Sequence, residues 1–175
     1  YEISECLVGS EMCIRDRGQE DATLGEELEA VDNYIYILNV RFAGDIHFSK
    51  DVDESLENVR MPSMILQPIV ENAVNHGIRD IEWEGKIHLT VTGDADYIRI
   101  SVKDNGKGMT QEQIEGVLSG NREHRNEEGD STGIGMNNVI SRLELYYEES
   151  GLMEINSEGK GKGTETVIYI PVQEN

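Results

Sequence analysis

Three segments carry residue types and spacings that could do chemistry. The first is Asp104-Asn105-Gly106-Lys107-Gly108-Met109. A carboxylate at the end of a strand can accept a hydrogen bond from the exocyclic amine of adenine. The two glycines after it let the backbone pass close to the base. The second is Ser131-Thr132-Gly133-Ile134-Gly135-Met136-Asn137-Asn138, read as a glycine turn standing before a helix. Amides there can point at phosphate oxygens, with the helix dipole adding to the attraction. The third is Met64 to Gly77, read as a helix with Asn72, Asn75 and His76 on its polar side. The side-chain oxygen of Asn72 suits Mg²⁺, which takes oxygen ligands, phosphates and several waters.

Each segment has a plainer alternative. An Asp-Asn-Gly turn can be only a hairpin turn. The second glycine pair can be a loop ended by a helix cap, and the Asn/His row can be a solvated helix edge. Their order is what joins them. Thr110 and Gln113 form a capping-box pattern that opens a helix directly after Met109, and the second glycine motif follows downstream. That motif is not a Walker A loop, because no Gly-Lys-Ser/Thr follows, and it is misplaced for a dinucleotide fingerprint. His76 has no second His or Cys at zinc spacing. His47, His88 and His124 read as ordinary surface residues without partners.

These residues need elements to hold them. Leu24, Leu28, Val31, Ile35, Leu38 and Phe42 repeat at alternating steps of four and three, which predicts a helix with a heptad seam. Such a helix either packs on its own domain or is the tail of a dimerising bundle. Glu26, Glu27, Glu29 and Asp32 in its first half suit the helix dipole. Asp45 to Lys50 reads as a strand followed by an acidic connection to Asn58. In the helix from Met64, the rows Ile65, Ile69, Ala73 and Leu66, Val70, Val74 form a wide apolar face. Pro68 predicts a regular start near Gln67 or a kink, and Gly77 a C-terminal stop. Ile87, Leu89 and Val91, then Ile98, Ile100 and Val102, alternate about the turn at 93–96, which predicts a hairpin delivering Asp104 at its end. A short helix to Leu118, a polar loop from Ser119 to Ser131 and a helix marked by Met136, Val139, Ile140 and Leu143 follow. Two strands, Leu152 to Ser157 and Thr166 to Ile170, are joined by the glycine turn at 159–163. Strands kept apart from helices predict a sheet covered by helices on one face.

The chain has 175 residues, room for one domain and an appendage, and 35 acids against 15 bases give a formal charge of −20. That charge opposes a general nucleic-acid binder or a peripheral membrane patch, since both want a basic face. It does not oppose ATP, which needs only local amides, dipoles and Mg²⁺. Cys6 and Cys13 lie near the start, so no disulfide framework is needed. No run approaches the ~20 apolar residues of a membrane span, and no signal peptide is evident. Residues 1–20 lack any sustained period and are expected to be an artefact or disordered leader outside the fold.

The motifs together resemble a known family. Gln67-Pro68-Ile69-Val70-Glu71-Asn72-Ala73-Val74-Asn75-His76-Gly77 resembles the N box of sensor histidine kinases. The segments at 104–109 and 131–138 resemble its two glycine boxes, and Gly161-Lys162-Gly163-Thr164 its late Gly-x-Gly-Thr turn. Leu66-Gln67-Pro68 with Asn33-Tyr34 and Arg41-Phe42 is similar to the LytS and YesM subfamily. The resemblance covers about residues 22–173. It implies a two-layer α/β sandwich (α+β) with a mixed, largely antiparallel sheet. Residues 21–43 would be the distal part of a dimerisation and histidine-phosphotransfer helix, and 44–175 the ATP-binding catalytic domain.

Residue by residue, the resemblance assigns Asp104 to adenine and Gly106, Gly108 and Met109 to the base pocket. Asn72 would hold Mg²⁺, with Asn75 and His76 near the phosphates. Thr132, Gly133, Ile134, Gly135 and Met136 would wrap the phosphates, residues 110–131 would form a lid, and Thr164 would support the adenine-side hydrogen bonds. Glu71 and Asn72 are the catalytic candidates. ATP-hydrolysing relatives place a general-base Glu four residues before the Mg²⁺ Asn, where this chain has Pro68. Glu71 is adjacent to Asn72 but lies about 100° around the helix, so it is not an obvious substitute. Asn75 stands where a Lys is often found. No Pro-His-Phe segment with the phosphoacceptor histidine is present, which predicts a C-terminal piece of a longer protein. The implied partners are ATP, an acceptor-histidine helix of the same or a paired protomer, and a response regulator. The parent would be a homodimeric membrane sensor with this domain in the cytoplasm. An ATPase of the gyrase or chaperone kind, a non-catalytic nucleotide-binding module and, less so, a serine kinase remain as rivals.

Overall fold

The computed structural model describes residues 21–41, 46–79, 81–119 and 132–172, the first three of the last segment by backbone alone. The leader 1–20, most of the polar loop and His124 lie outside the described residues. The elements are β1 (Asp21–Thr23), α1 (Leu24–Arg41), β2 (Ile46–Val52), a single-turn helix at Glu54–Leu56 and β3 (Arg60–Pro62). Then come α2 (Leu66–Asn72), continued by a wider π turn (Ala73–Ile78), β4 (Gly85–Gly93) and β5 (Tyr97–Asp104). The chain ends with α3 (Gln111–Leu118), α4 (Thr132–Tyr147), β6 (Met153–Asn156) and β7 (Thr164–Pro171).

Five strands form one sheet in the order β2-β4-β5-β7-β6. Only the β2–β4 pair is parallel, so the sheet is mixed and largely antiparallel, as expected. The side-chain period of two puts Ile87, Leu89 and Val91 on one face with Ile98, Ile100 and Val102 opposite them, and all six are buried. Thr166, Ile168 and Ile170 extend this face across β7, and Met153 and Ile155 across β6. The helices cover it through Leu28, Val31 and Ile35, through Ile65, Leu66, Ile69 and Val70, and through Met136, Val139 and Leu143. α1 packs on α2, α2 on α4, and α4 on α3. The seam of α1 is thus turned onto its own domain over its first turns, while Tyr36, Ile37 and Val40 on its opposite side stay exposed. The other sheet face is polar. On it His88 Nδ1 pairs with Ser49 Oγ at 2.8 Å, and Glu165 accepts from Ser101 and Arg99 at 2.6 and 2.9 Å.

Two local expectations are corrected, one left open is decided, and one small sheet is new. β1 and β3 pair antiparallel in a small second sheet that the sequence did not announce, because three residues are too short to show alternation. Pro68 stands, as the first of its two expected outcomes has it, at a regular start: α2 begins at Leu66, one residue before Gln67. It is the third residue of α2, where its missing N–H is one of the first four that lack an intrahelical partner anyway. Gly77 is not the helix stop: the π turn runs through it to Ile78. His47 and His88 have partners, Glu84 at 2.8 Å and Ser49, because neighbouring outer-face positions bring them together.

Candidate nucleotide site

Asp104 is the last residue of β5 and stays in phase with Ile98, Ile100 and Val102. Its carboxylate therefore points to the helix-covered face, and the residue is only 5% exposed. A buried carboxylate needs donors. The Gly106 amide donates to Oδ1 at 2.8 Å, and the backbone of Thr164, its register partner on β7, also donates to the carboxylate. Burial pushes the Asp104 carboxyl above its usual range, and these two amides partly offset the rise. A carboxylate has about four acceptor positions, so two hydrogen bonds leave acceptor capacity.

The glycines make this packing possible. A Cβ on Gly106 would lie 2.1 Å from the Gly77 carbonyl oxygen, and one on Gly163 would lie 2.0 Å from the Asp104 carbonyl oxygen. The turn after Asp104 is fastened from several directions. Lys107 N–H donates to Gly77 O at 2.9 Å and Gly163 N–H to Gly106 O at 3.1 Å. Lys86 N–H donates to the Asn105 side chain at 2.7 Å, while Trp83 Nε1–H donates to Asn105 O at 2.9 Å. Ser157 Oγ accepts from Met109 N–H at 3.0 Å and donates to Gly163 O at 2.6 Å, joining the Met109 end to the late glycine turn. Thr110 then caps α3 with the full capping box expected from Gln113.

A recess of about 120 Å³ is lined by Pro68, Glu71, Asn72, Asn75, His76, Gly135 and Met136. The structure thus brings the Asn/His row of α2 and its π turn against the start of α4. The π turn immediately follows Asn72, and π turns are often found at functional sites. Glu71 lines the same recess as Asn72 and accepts from Gln67 Nε2 at 2.8 Å. Asn72 and Glu71 offer the hard oxygen donors that Mg²⁺ takes alongside phosphates and waters, so the residues present fit that ion.

The second glycine motif is not ahead of its helix: Thr132, Gly133, Ile134 and Gly135 form the first turn of α4. Their first-turn amides still lack intrahelical acceptors, which is what a phosphate needs. Gly108, Met109 and Thr164 stand with Asp104 outside the lining of that recess, Thr164 buried and the other two half-buried. Sequence reasoning missed Pro68 as a wall of the recess, Ser157 and Asn105 as anchors, and Gly77 and Gly163 as points of close approach. Pro68, Gly77, Asn105 and Gly163 all stood inside the quoted motifs and Ser157 in none, but residue type alone carries no distance information.

Comparison with known proteins bears on the family and the fold. A family model described as histidine kinase-, DNA gyrase B-, and HSP90-like ATPase matches residues 58–174. The chain is 32% identical over 161 residues to the sensor histidine kinase YpdA of Escherichia coli, covering 90% of this chain and 26% of that protein. It is 31% identical over 149 residues to the sensor histidine kinase YesM of Bacillus subtilis, covering 85% and 24%. It thus spans about a quarter of the length of these relatives. In fold it is similar to a mycobacterial sensor histidine kinase, MprB, with TM-score 0.62 and 19% identity over 87% of this chain and 97% of that one. It also resembles the catalytic domain of the histidine kinase ThkA, with TM-score 0.59 and 21% identity over 87% and 97%.

Proposed function

Because the chain belongs to the family of histidine kinase-, DNA gyrase B- and HSP90-like ATPases, we propose that it is the ATP-binding catalytic domain of a sensor histidine kinase. The observation that carries this reading is the placement of Asp104. A carboxylate is kept in the apolar row of a central strand, half satisfied by Gly106 and Thr164, on the face of the sheet that α2 and its Asn72 row cover.

In this reading Asp104 accepts from the adenine amine, while Gly106, Gly108 and Met109 bound the base. Thr132 to Met136 present first-turn amides to the phosphates, and Asn75 and His76 stand beside them. Magnesium held by Asn72 would supply charge neutralisation at the phosphates. The γ-phosphoryl bond to ADP breaks as a bond to an imidazole nitrogen of an acceptor histidine forms, and the imidazole gives up its proton. ADP leaves, and an aspartate of a response regulator then takes the phosphoryl group. The domain's own contribution is position and electrostatics. The acceptor helix belongs to the same or a paired protomer, and the longer protein is a membrane-bound, dimeric sensor with this domain in the cytoplasm. No helix among the described residues is long and apolar enough to cross a membrane.

Pro68 supports a kinase over a hydrolase, because proline cannot serve as a general base for water. One observation favours hydrolysis: Glu71 lines the recess with Asn72. Labelled ATP incubated with the domain and a histidine-bearing bundle from a related kinase decides between them. Label on the histidine is expected. Label appearing only as inorganic phosphate, with turnover lost in Glu71→Ala, would establish an ATPase instead. Stable ATP binding with neither product would establish a nucleotide-binding module.

A further inference from the structure

The helix that carries Asn72 is capped by an acid from a different helix. Glu27 lies in the first turn of α1, in the seam that faces the domain, and is 6% exposed. Its Oε1 accepts from Met64 N–H at 2.7 Å, and its Oε2 from Ile65 N–H at 2.8 Å and Leu66 N–H at 2.9 Å. These amides lead into α2, whose preceding residue Ile65 supplies no side-chain cap of its own. Helices usually solve this need locally, with a Ser, Thr, Asp or Asn just before the first turn. Here the acceptor comes from 37 to 39 residues away. Met64 is meanwhile held at a φ of 59°, a conformation that a residue with a side chain keeps only where its surroundings impose it.

An electrostatic interaction runs farther along the same pair of helices. The Tyr34 hydroxyl is pushed up first by burial and then by the nearby Glu71 carboxylate, which places α1 beside the recess wall next to Asn72. The apolar α1–α2 packing, Leu28, Val31 and Ile35 with Ile65, Leu66 and Ile69, has no directional bond to hold one register. A carboxylate on three amides does hold one: a shift of one helical residue, about 1.5 Å, takes it out of hydrogen-bond range. Charge-assisted bonds in a buried site are also the costliest kind to break.

We propose that Glu27 is a positioning residue for the nucleotide site: its carboxylate locks α1 to α2 in one register and so sets how Asn72, Asn75 and His76 face the recess. What those residues bind rests on the nucleotide reading above; how they are held does not. α1 and the Asn72 helix consequently move as one body, and a displacement of α1 is delivered to the recess and not dissipated in the core between them.

The test compares the native domain with Glu27→Gln, whose amide group can no longer accept from all three backbone donors, and with Glu27→Asp, which keeps the charge on a shorter arm. Hydrogen exchange without nucleotide should speed up at residues 64–66 and at 72–78 in Glu27→Gln, with 87–91 and 98–102 unchanged, and Glu27→Asp should fall between. Calorimetry with ADP, with and without Mg²⁺, should show the metal-dependent gain in affinity reduced at least tenfold and the metal-free affinity held within twofold. Unchanged exchange at 72–78, or equal loss of affinity with and without metal, would overturn the proposal. If the native domain binds no ADP at all, the nucleotide reading falls, and the exchange measurement alone decides the coupling. If Glu27→Gln does not fold, Glu27→Asp carries both measurements.

Discussion

Gly77 lies against the carboxylate of Asp104: a Cβ on Gly77 would sit 2.8 Å from Oδ1 and 2.9 Å from the carboxyl carbon. The last turn of the Asn72 helix and the end of the central strand therefore meet at a contact that only hydrogen can occupy. Gly77→Ala must displace either the π turn or the carboxylate. Overpacking of this kind costs about 1–3 kcal/mol. Urea unfolding should show that loss, and adenine-nucleotide binding should weaken with it. Unchanged binding would mean that the carboxylate has room to move and is not held for the base.

Burial weakens Asp104 as an acid, and this sets a pH dependence. An ordinary aspartate titrates at about 3.9; burial moves Asp104 above that, so it takes up its proton at a higher pH than exposed aspartates do. The native state then binds more protons than the unfolded one across the window between the two values. Asp104 therefore contributes stability below the unfolded value, and this contribution is lost as pH rises through the folded one. Binding has the opposite sense, since the protonated acid loses acceptor capacity. Nucleotide affinity should fall as pH drops through the raised Asp104 value, and Asp104→Asn should bind weakly with that dependence removed. A flat profile in the native domain would separate Asp104 from the base.

Asn72 is expected to act on the metal and phosphates, not on adenine. Asn72→Asp adds a charge beside the phosphates. It should weaken Mg-ATP binding by at least about tenfold, some 1.4 kcal/mol, while adenosine binding changes little. Titrations with the two ligands read this directly. Equal losses would contradict the assignment.

Three glycines with different surroundings should respond differently. Gly116, inside α3, has nothing within 4 Å of a Cβ, so Gly116→Ala should stabilise by about 0.5–1 kcal/mol through helix propensity. Gly161 is equally open but has a φ of 76°, so Gly161→Ala should cost about 1–2 kcal/mol from backbone conformation alone. Gly163→Ala adds a clash with the Asp104 carbonyl oxygen and should be the worst of the three. Thermal melts of the three variants test the order.

Much of the architecture was legible because the chain is locally consistent. The alternation at 87–91 and 98–102 requires a hairpin with one buried face and, by phase alone, sends Asp104 to its end. Thr110 and Gln113 announced their capping box, and the apolar rows of α2 are buried as their spacing demands. Periodicity reports faces and ends; the residues assigned to a nucleotide came from the motifs and from what the resemblance implies. None of these reports which distant backbones touch. Gly77 read as a helix stop because a glycine after a helix is most often that; its neighbour Asp104 is 27 positions on, and only folding brings them together. Glu27 read as a helix-dipole acid, since nothing in one helix reveals that the uncapped amides of another lie over its buried face. The sequence by itself determined the longer elements and the buried face, which follow from short-range periodicity, and the chemical inventory, which its motifs carry. The tertiary structure alone decided the contacts that align that inventory, because hydrogen bonds and close packing between remote segments depend on distances that sequence spacing does not encode.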